Sequence, residues 1–229
     1  DTEVILASYR HWGLACFKHF IGMWSIALWD ESRDELILSR DRLGVKPLYF
    51  AEDGDTLVFG SEPKIIIDQI PKLRRVNMQA VSDYLSFRYA LGGNSFFSGV
   101  HSVEPGTYKI ISGKSIKTIN YWSLPIVRNK LDIGEQAALD GINELLTSSV
   151  NYRMIADVPV GSFLSGGLDS SALVWQMSQN TNNPIHTFCT GFNEDGFNEF
   201  DYARTVAKHC NTKHSEVILD VDSYLESFH

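Results

Sequence analysis

The hydrophobic and polar positions along this chain follow two different rhythms, one in each half. Over residues 3–20, Val4, Ile5, Ala7, Leu14, Ala15 and Phe17 recur near the 3.6-residue helical period, which predicts a helix. The apolar, aromatic run 22–30 predicts a buried strand, and 36–40 a second. Runs 49–51 and 57–60 flank Asp53-Gly54-Asp55, a hairpin turn. Residues 62–68 predict a short helix ending before Pro71, and 81–89 predict another. Glu104-Pro105-Gly106 and Ser112-Gly113-Lys114 are turns around strands over 108–111 and 116–122. This half is strand-rich and antiparallel in character.

The second half alternates. A helix is predicted over 135–153, with Ala138, Ile142, Leu145, Leu146 and Ser149 on one face. Then come a strand over 158–164, a helix over 168–179, a strand over 185–190, a helix over 199–210 and a strand over 215–219. Strands alternating with helices indicate a parallel, doubly wound α/β sheet. Pro125 and the polar Arg128-Asn129-Lys130 read as a linker, which places a domain boundary between about 122 and 133. The expected domains are residues 1–122 and 133–229.

Composition narrows the function classes. With 229 residues and 44% hydrophobic content, the chain suits one large or two modest folded domains. A net charge of -8 argues against a broad nucleic-acid surface, which needs a basic stripe. It leaves room for a local phosphate site built from backbone N–H groups. The three cysteines, Cys16, Cys189 and Cys210, form no CxxC pair. A sparse, odd count fits a reducing cytoplasm, and buried structural roles are expected for all three. No run of eighteen apolar residues predicts a membrane span, and no signal peptide is present. The chain starts at Asp1 instead of Met and stops at His229, inside an amphipathic pattern that begins near Asp222. It is therefore expected to be an interior piece of a longer protein. The seven histidines show no metal-ligand spacing, and solvated side chains are expected at His209 and His214. Arg40-Asp41-Arg42 reads as a charged turn with an ion pair. Trp24, Trp29, Tyr49, Phe50 and Phe59 read as core aromatics.

The candidate chemistry lies at Ser165-Gly166-Gly167-Leu168-Asp169-Ser170. An apolar strand feeds this string and an apolar helix leaves it. In an open α/β sheet, ligands bind at such a strand end. Glycines let the backbone approach an anion, and the unpaired N–H groups of the first helical turn face it. Ser165 and Ser170 add hydroxyls. A carboxylate at Asp169 would repel pyrophosphate unless Mg²⁺ bridges the two, so the loop points to a Mg-nucleotide. A Gly-Gly turn can also be plain structure, with Asp169 an ordinary first-turn residue. The full six-residue string favours the phosphate reading. It matches neither the Walker A pattern nor GxGxxG.

SGGLDS resembles the pyrophosphate loop of ATP pyrophosphatases, which cleave ATP between the α- and β-phosphates. The first half selects among them. The segment 20–30 (FIGMWSIALWD), the segment 39–50 (SRDRLGVKPLYF), Phe59-Gly60-Ser61-Glu62-Pro63-Lys64, Tyr84-Leu85-Ser86-Phe87 and Val103-Glu104-Pro105-Gly106 resemble the glutamine-hydrolysing asparagine synthetase family in order. Asp157-Val158-Pro159-Val160-Gly161 leads into the loop as it does there. The resemblance implies a partial α+β glutaminase of Ntn-hydrolase type with antiparallel sheets, followed by a partial ATP-pyrophosphatase domain. It implies that glutamine is hydrolysed by an N-terminal cysteine that lies outside this chain. Ammonia would pass to the second domain, where ATP activates aspartate as β-aspartyl-AMP. Mapped residue by residue, it implies ATP contacts at Leu164, Ser165, Gly166, Gly167, Asp169, Ser170 and Thr190. It also implies Mg²⁺ at Asp169 through pyrophosphate, and glutamine binding at Asp1 within Asp1-Thr2-Glu3, although Asp1 also fits a helix N-cap. Thr190 stands where Val or Ile is more usual. The implied partners are glutamine, aspartate and ATP, with no nucleic acid and no membrane, and a homodimer is compatible. Relatives that amidate other carboxyl groups share these motifs, and a non-catalytic nucleotide-binding remnant is a third reading.

Overall fold

The computed structural model describes residues 2–126, 133–181, 183–192, 198–220 and 225. The chain divides into two compact units, Asp1–Arg128 and Asn129–His229. The linker read at Arg128–Lys130 and the helix read from Asp222 lie outside the described residues, as does Asp1.

The first unit opens with α1 (Thr2–Trp12), which passes into a 3-10 turn at Gly13–Lys18. The single helix expected over 3–20 therefore breaks at Gly13, whose φ of +56° lies in a region open to glycine. Strands β1 (Ser25–Asp30) and β2 (Glu35–Arg40) pair antiparallel with Leu28 opposite Ile37. The hairpin β3 (Tyr49–Asp53) and β4 (Thr56–Gly60) turns at Gly54, as expected. Next come α2 (Pro63–Gln69) and α3 (Met78–Phe87), the latter N-capped by Asn77. The two-residue strand β5 (His101–Ser102) was too short to carry a periodic signal. Strands β6 (Thr107–Ser112) and β7 (Ser115–Asn120) close the unit.

These strands form two antiparallel sheets, β1-β2-β6-β7 and β4-β3-β5. The alternation along β2 sets the layers. Ile37 faces Cys16, Phe17, Ile26 and Tyr108, beneath the 3-10 turn. Leu38 faces the second sheet, where Leu48, Phe50, Val103 and Ile111 meet. The far side of that sheet buries Ala51 and Val100 against Ile66, Ile67 and Ile70 on and just after α2. The order is helix, sheet, sheet, helix. Among the aromatics expected in the core, Phe50 is buried and Trp24 stacks on Tyr121. Trp29 and Phe59 are instead exposed: they share the faces of Leu36 and Phe50 between the sheets but lie on the edge strands β1 and β4.

The Arg40–Asp41 segment departs from its expected ion pair. Asp41 is 1% exposed, and its carboxylate accepts four backbone N–H groups: Trp24 at 3.2 Å, Leu43 at 3.1 Å, Val45 at 3.0 Å and Lys46 at 2.9 Å. Arg40 turns away from it and donates to the carbonyls of Gly44, Lys46 and Val103 and to Ser102 Oγ. The two side chains thus hold one loop between them without touching, and each satisfies groups that neutral residues could not.

In the second unit, α4 (Glu135–Met154) precedes β8 (Gly161–Phe163), α5 (Leu168–Gln179), β9 (His186–Phe192), α6 (Phe200–His209) and β10 (Lys213–Leu219). The three strands are parallel in the order β10-β9-β8. Both crossover helices lie on one face, where Leu164, Val174, Cys189, Phe200, Ala203 and Ala207 form the core. The strand expected over 158–164 shortens to three residues, with Val158 exposed and Pro159 lacking a ladder donor. The stripe that α4 buries is also different from the one expected. Leu146, Val150 and Met154 pack on Met177 and Ile185, while Ile142 and Leu145 are exposed. A helix carrying several overlapping apolar stripes leaves the choice to its neighbour, here α5. No described helix is long and apolar enough to cross a membrane.

Asp41→Ala strips acceptors from four backbone donors around a buried site. The first unit should lose about 3–5 kcal/mol of unfolding free energy. Urea unfolding followed by tryptophan fluorescence checks this, and an unchanged midpoint would refute it.

Candidate functional site

The glycine turn sits at the carboxyl end of β8. Leu164 N–H donates to the Phe188 carbonyl at 2.8 Å, which is the last bond joining this strand to β9. Leu164 itself is 1% exposed within the helix-side core, so its side chain is committed to packing. The chain then turns through Gly166, at φ +80°. Gly167 occupies the N-cap of α5, and no side chain caps that helix. The first helical bond runs from Ser171 N–H to the Gly167 carbonyl at 3.0 Å. The N–H groups before it are the donors that a helix start leaves without intrahelical partners. Ser165 Oγ and Ser170 Oγ lie 3.0 Å apart across the turn, and Ser165 Oγ accepts Gly167 N–H at 3.3 Å. Asp169 is exposed on the first turn. The structure therefore gathers Ser165, Gly166, Gly167, Asp169 and Ser170 into one uncapped helix start.

Thr190 lies on β9, one pleat beyond Phe188, which pairs with Phe163. Its neighbour Cys189 faces the helices, so Thr190 is exposed on the opposite sheet face. It shares the carboxyl-end half of the sheet with the turn. No side-chain bond links the two among the described residues. Asp1, the remaining candidate, lies outside them.

Residues that the sequence reading did not single out hold the turn from behind. A Cβ on Gly166 would lie 2.5 Å from the Tyr202 carbonyl carbon and 2.6 Å from Ala203 N, so α6 backbone presses directly on the turn. Asn198 bonds both backbone groups of Phe192, beside Gly191 at the end of β9. A glycine inside a strand can mark such a close approach, and Gly191 lies inside β9, one residue past the end expected from the sequence. Arg204 then ties α6 to β10 through two bonds to Glu216, at 2.8 and 2.7 Å. These bonds hold the Glu216 carboxyl below its ordinary range, against the opposing effect of burial. His214, expected in solvent, joins this network. Its side chain is 12% exposed, its Nδ1 lies 2.9 Å from Thr187 Oγ1, and its Nε2 lies 3.4 Å from Glu216. Thr187 is fully buried and draws the imidazole inward. His209 is exposed, as expected. Cys16 and Cys189 are buried, burial raises both thiols above their ordinary range, and Cys210 packs at the edge of the same core as Cys189. Among the described residues, no group of three His, Cys, Asp or Glu could hold a metal ion.

Comparison with known proteins finds a family match in each half of the chain. Residues 1–122 match a glutamine amidotransferase domain, and residues 141–229 match an asparagine synthase domain. A putative glutamine-hydrolysing asparagine synthetase 2 of Methanocaldococcus jannaschii is 37% identical over 226 residues, which is 93% of this chain and 42% of that protein. The chain belongs to the glutamine-hydrolysing asparagine synthetase family. Asparagine synthetase 3 of Bacillus subtilis is 32% identical over 204 residues, covering 85% of this chain and 32% of that protein. A relative named amidase chry2, from Gibberella zeae, is 34% identical over 191 residues, covering 78% and 26%. The chain thus spans about two-fifths or less of the length of these relatives.

Gly166→Ala should cost the second unit about 2–4 kcal/mol, because backbone atoms cannot move aside as a flexible side chain would. Ser165→Ala, which removes only hydroxyl contacts at a half-exposed position, should cost about 1 kcal/mol or less. Urea unfolding by circular dichroism separates the two, and equal midpoints would refute the close contact. For Glu216, a lowered folded pKa means stability that is present at neutral pH and lost as pH falls through the folded value. The gap in urea midpoint between the unaltered protein and Glu216→Gln should be full at pH 7 and close below about pH 4. A gap that is constant across that range would exclude the ion pair.

Proposed function

We propose that the second unit binds the pyrophosphate end of Mg-ATP, and that the parent protein uses ATP and glutamine-derived ammonia to make asparagine from aspartate. The uncapped helix start at Gly167, fed by a parallel strand, carries this reading. It presents several N–H donors and two hydroxyls at one point. On this reading, Ser165, Gly166, Gly167 and Ser170 cradle phosphate, and the main chain at Leu164 and Thr190 borders the nucleoside. Asp1 holds the α-amino group of glutamine.

The donor set fits Mg²⁺ in one way. Asp169 offers a single exposed carboxylate with no carboxylate cluster beside it among the described residues. An ion held there would take its other ligands from phosphate and water, as Mg²⁺ commonly does. When bound, the ion would supply positive charge to offset that building on the leaving pyrophosphate.

The chemistry needs this arrangement because a carboxylate is a poor acyl donor. A β-carboxylate oxygen of aspartate attacks the α-phosphorus, and the bond to the β-phosphate breaks, releasing pyrophosphate. Ammonia then attacks the acyl carbon of β-aspartyl-AMP, AMP leaves and a proton is lost. Backbone donors at the turn would stabilise the pyrophosphate as it departs.

Residues 1–122 are proposed as the partial glutaminase, and the helix-sheet-sheet-helix order of the first unit supports an Ntn-hydrolase type. Residues 133–229 are proposed as the partial ATP-pyrophosphatase domain, its sheet doubly wound in the whole protein. A cytoplasmic setting and a homodimer belong to the same proposal. The relative named amidase chry2 favours keeping a second reading, in which the acceptor is another carboxylate.

In the full-length protein, Asp169→Ala should lower ATP-dependent asparagine formation by ~100-fold or more and leave glutamine hydrolysis intact. Product analysis with glutamine, aspartate and Mg-ATP measures both. Undiminished synthesis would remove Asp169 from the mechanism. AMP release that requires a carboxylate other than aspartate would select the second reading.

A further inference from the structure

Strand β9 loses its neighbour partway along one edge. Lys213 N–H bonds the Ile185 carbonyl, so the odd-numbered residues of β9 direct their backbone groups to β10. The even-numbered residues direct theirs to the β8 side, because successive residues of a strand alternate edges. Strand β8 pairs as far as Phe163 opposite Phe188, and Leu164 N–H closes that edge on the Phe188 carbonyl at 2.8 Å. The chain then turns away through Gly166. Thr190 and Phe192 lie past that point, and among the described residues neither meets a strand residue on this edge.

Asn198 occupies the second position. Its Oδ1 accepts Phe192 N–H at 3.2 Å, and its Nδ2 donates to the Phe192 carbonyl at 2.7 Å. One amide side chain thereby takes both backbone groups that a paired strand would take. A Cβ on Gly191 would fall on Asn198 Oδ1 and on the Phe200 ring, so glycine at that position is what leaves the amide room. The first position stays open. Among the described residues, the Thr190 N–H has no hydrogen-bond partner, and the Thr190 carbonyl meets only the weak Cys189 thiol donor at 3.9 Å. One donor–acceptor pair is thus left between two closed ones, on the edge beside the glycine turn.

A backbone N–H beside a C=O complements a planar base that carries an acceptor next to a donor. Adenine offers this on its Watson–Crick edge, with N1 accepting and the 6-amino group donating. We infer that Asn198 is a positioning residue for the base: by standing in for a strand at Phe192, it fixes the main chain beyond Thr190 and holds the Thr190 pair at the geometry of the adenine edge. The role rests on the binding of Mg-ATP at the glycine turn and adds to it how the base is selected. Hypoxanthine carries a donor at N1 and an acceptor at position 6, the reverse order. A fixed pair tells the two bases apart, and a pair free to shift does so less well.

Isothermal titration of the full-length protein with Mg-ATP, Mg-inosine triphosphate and Mg-pyrophosphate tests this. The unaltered protein should bind Mg-ATP about tenfold or more tighter than the inosine nucleotide. Asn198→Ala should weaken Mg-ATP by about tenfold or more, to the level of the inosine nucleotide, and leave Mg-pyrophosphate within about twofold. Asn198→Asp keeps the shape and the acceptor for Phe192 N–H but sets an oxygen against the Phe192 carbonyl, and it should show the same loss. Near-UV circular dichroism that matches the unaltered protein confirms folding of each variant. Failure of the unaltered protein to bind both Mg-ATP and Mg-pyrophosphate would overturn the ATP site and this role with it. Retained Mg-ATP affinity and base preference in both variants would overturn the role of Asn198 and leave the ATP site standing. Equal weakening of Mg-ATP and Mg-pyrophosphate would make Asn198 a general brace, and would overturn the role as well.

Discussion

A backbone N–H group that leaves water must find an acceptor, and the two units of this chain meet that requirement in opposite ways. In the first, the buried Asp41 carboxylate gathers four N–H groups and closes the loop between β2 and β3. In the second, the start of α5 has no side-chain cap, and the N–H groups of its first turn have no intrahelical partner. The first arrangement is finished and structural. The second is unfinished within the chain, and its proposed role as an anion site rests on that.

The turn before α5 stays in place because of what lies behind it. Gly166 has room only because it lacks a Cβ, with α6 backbone against it. Helix α6 is held in turn by Arg204 on Glu216 and by the Ala203 and Ala207 contacts in the core. The turn proposed to hold phosphate therefore rests on residues more than thirty positions further along the chain.

Charge is used structurally on both sides of the loop after β2. Arg40 braces that loop with its hydrogen bonds yet keeps its charge, because every acceptor it meets is neutral. Its neighbour Asp41 turns its acceptor capacity to backbone N–H groups.

Local chemistry was legible in the sequence. The hairpin at Gly54, the helix over 168–179 and the glycine turn between strand and helix follow from short-range periodicity and backbone preference, and the structure has them. Family membership was legible as well, because long ordered strings carry it. Choices between partners were not. The stripe of α4 that is buried, the inward turn of His214 and the exposure of Trp29 at the sheet edge depend on how far each tertiary neighbour extends over the face. The same holds for the Arg40–Asp41 pair, whose expected mutual contact gave way to backbone acceptors and donors on either side. Sequence spacing specifies which side chains share a face; only the tertiary structure decides what that face meets, because burial energy depends on the neighbour that covers it.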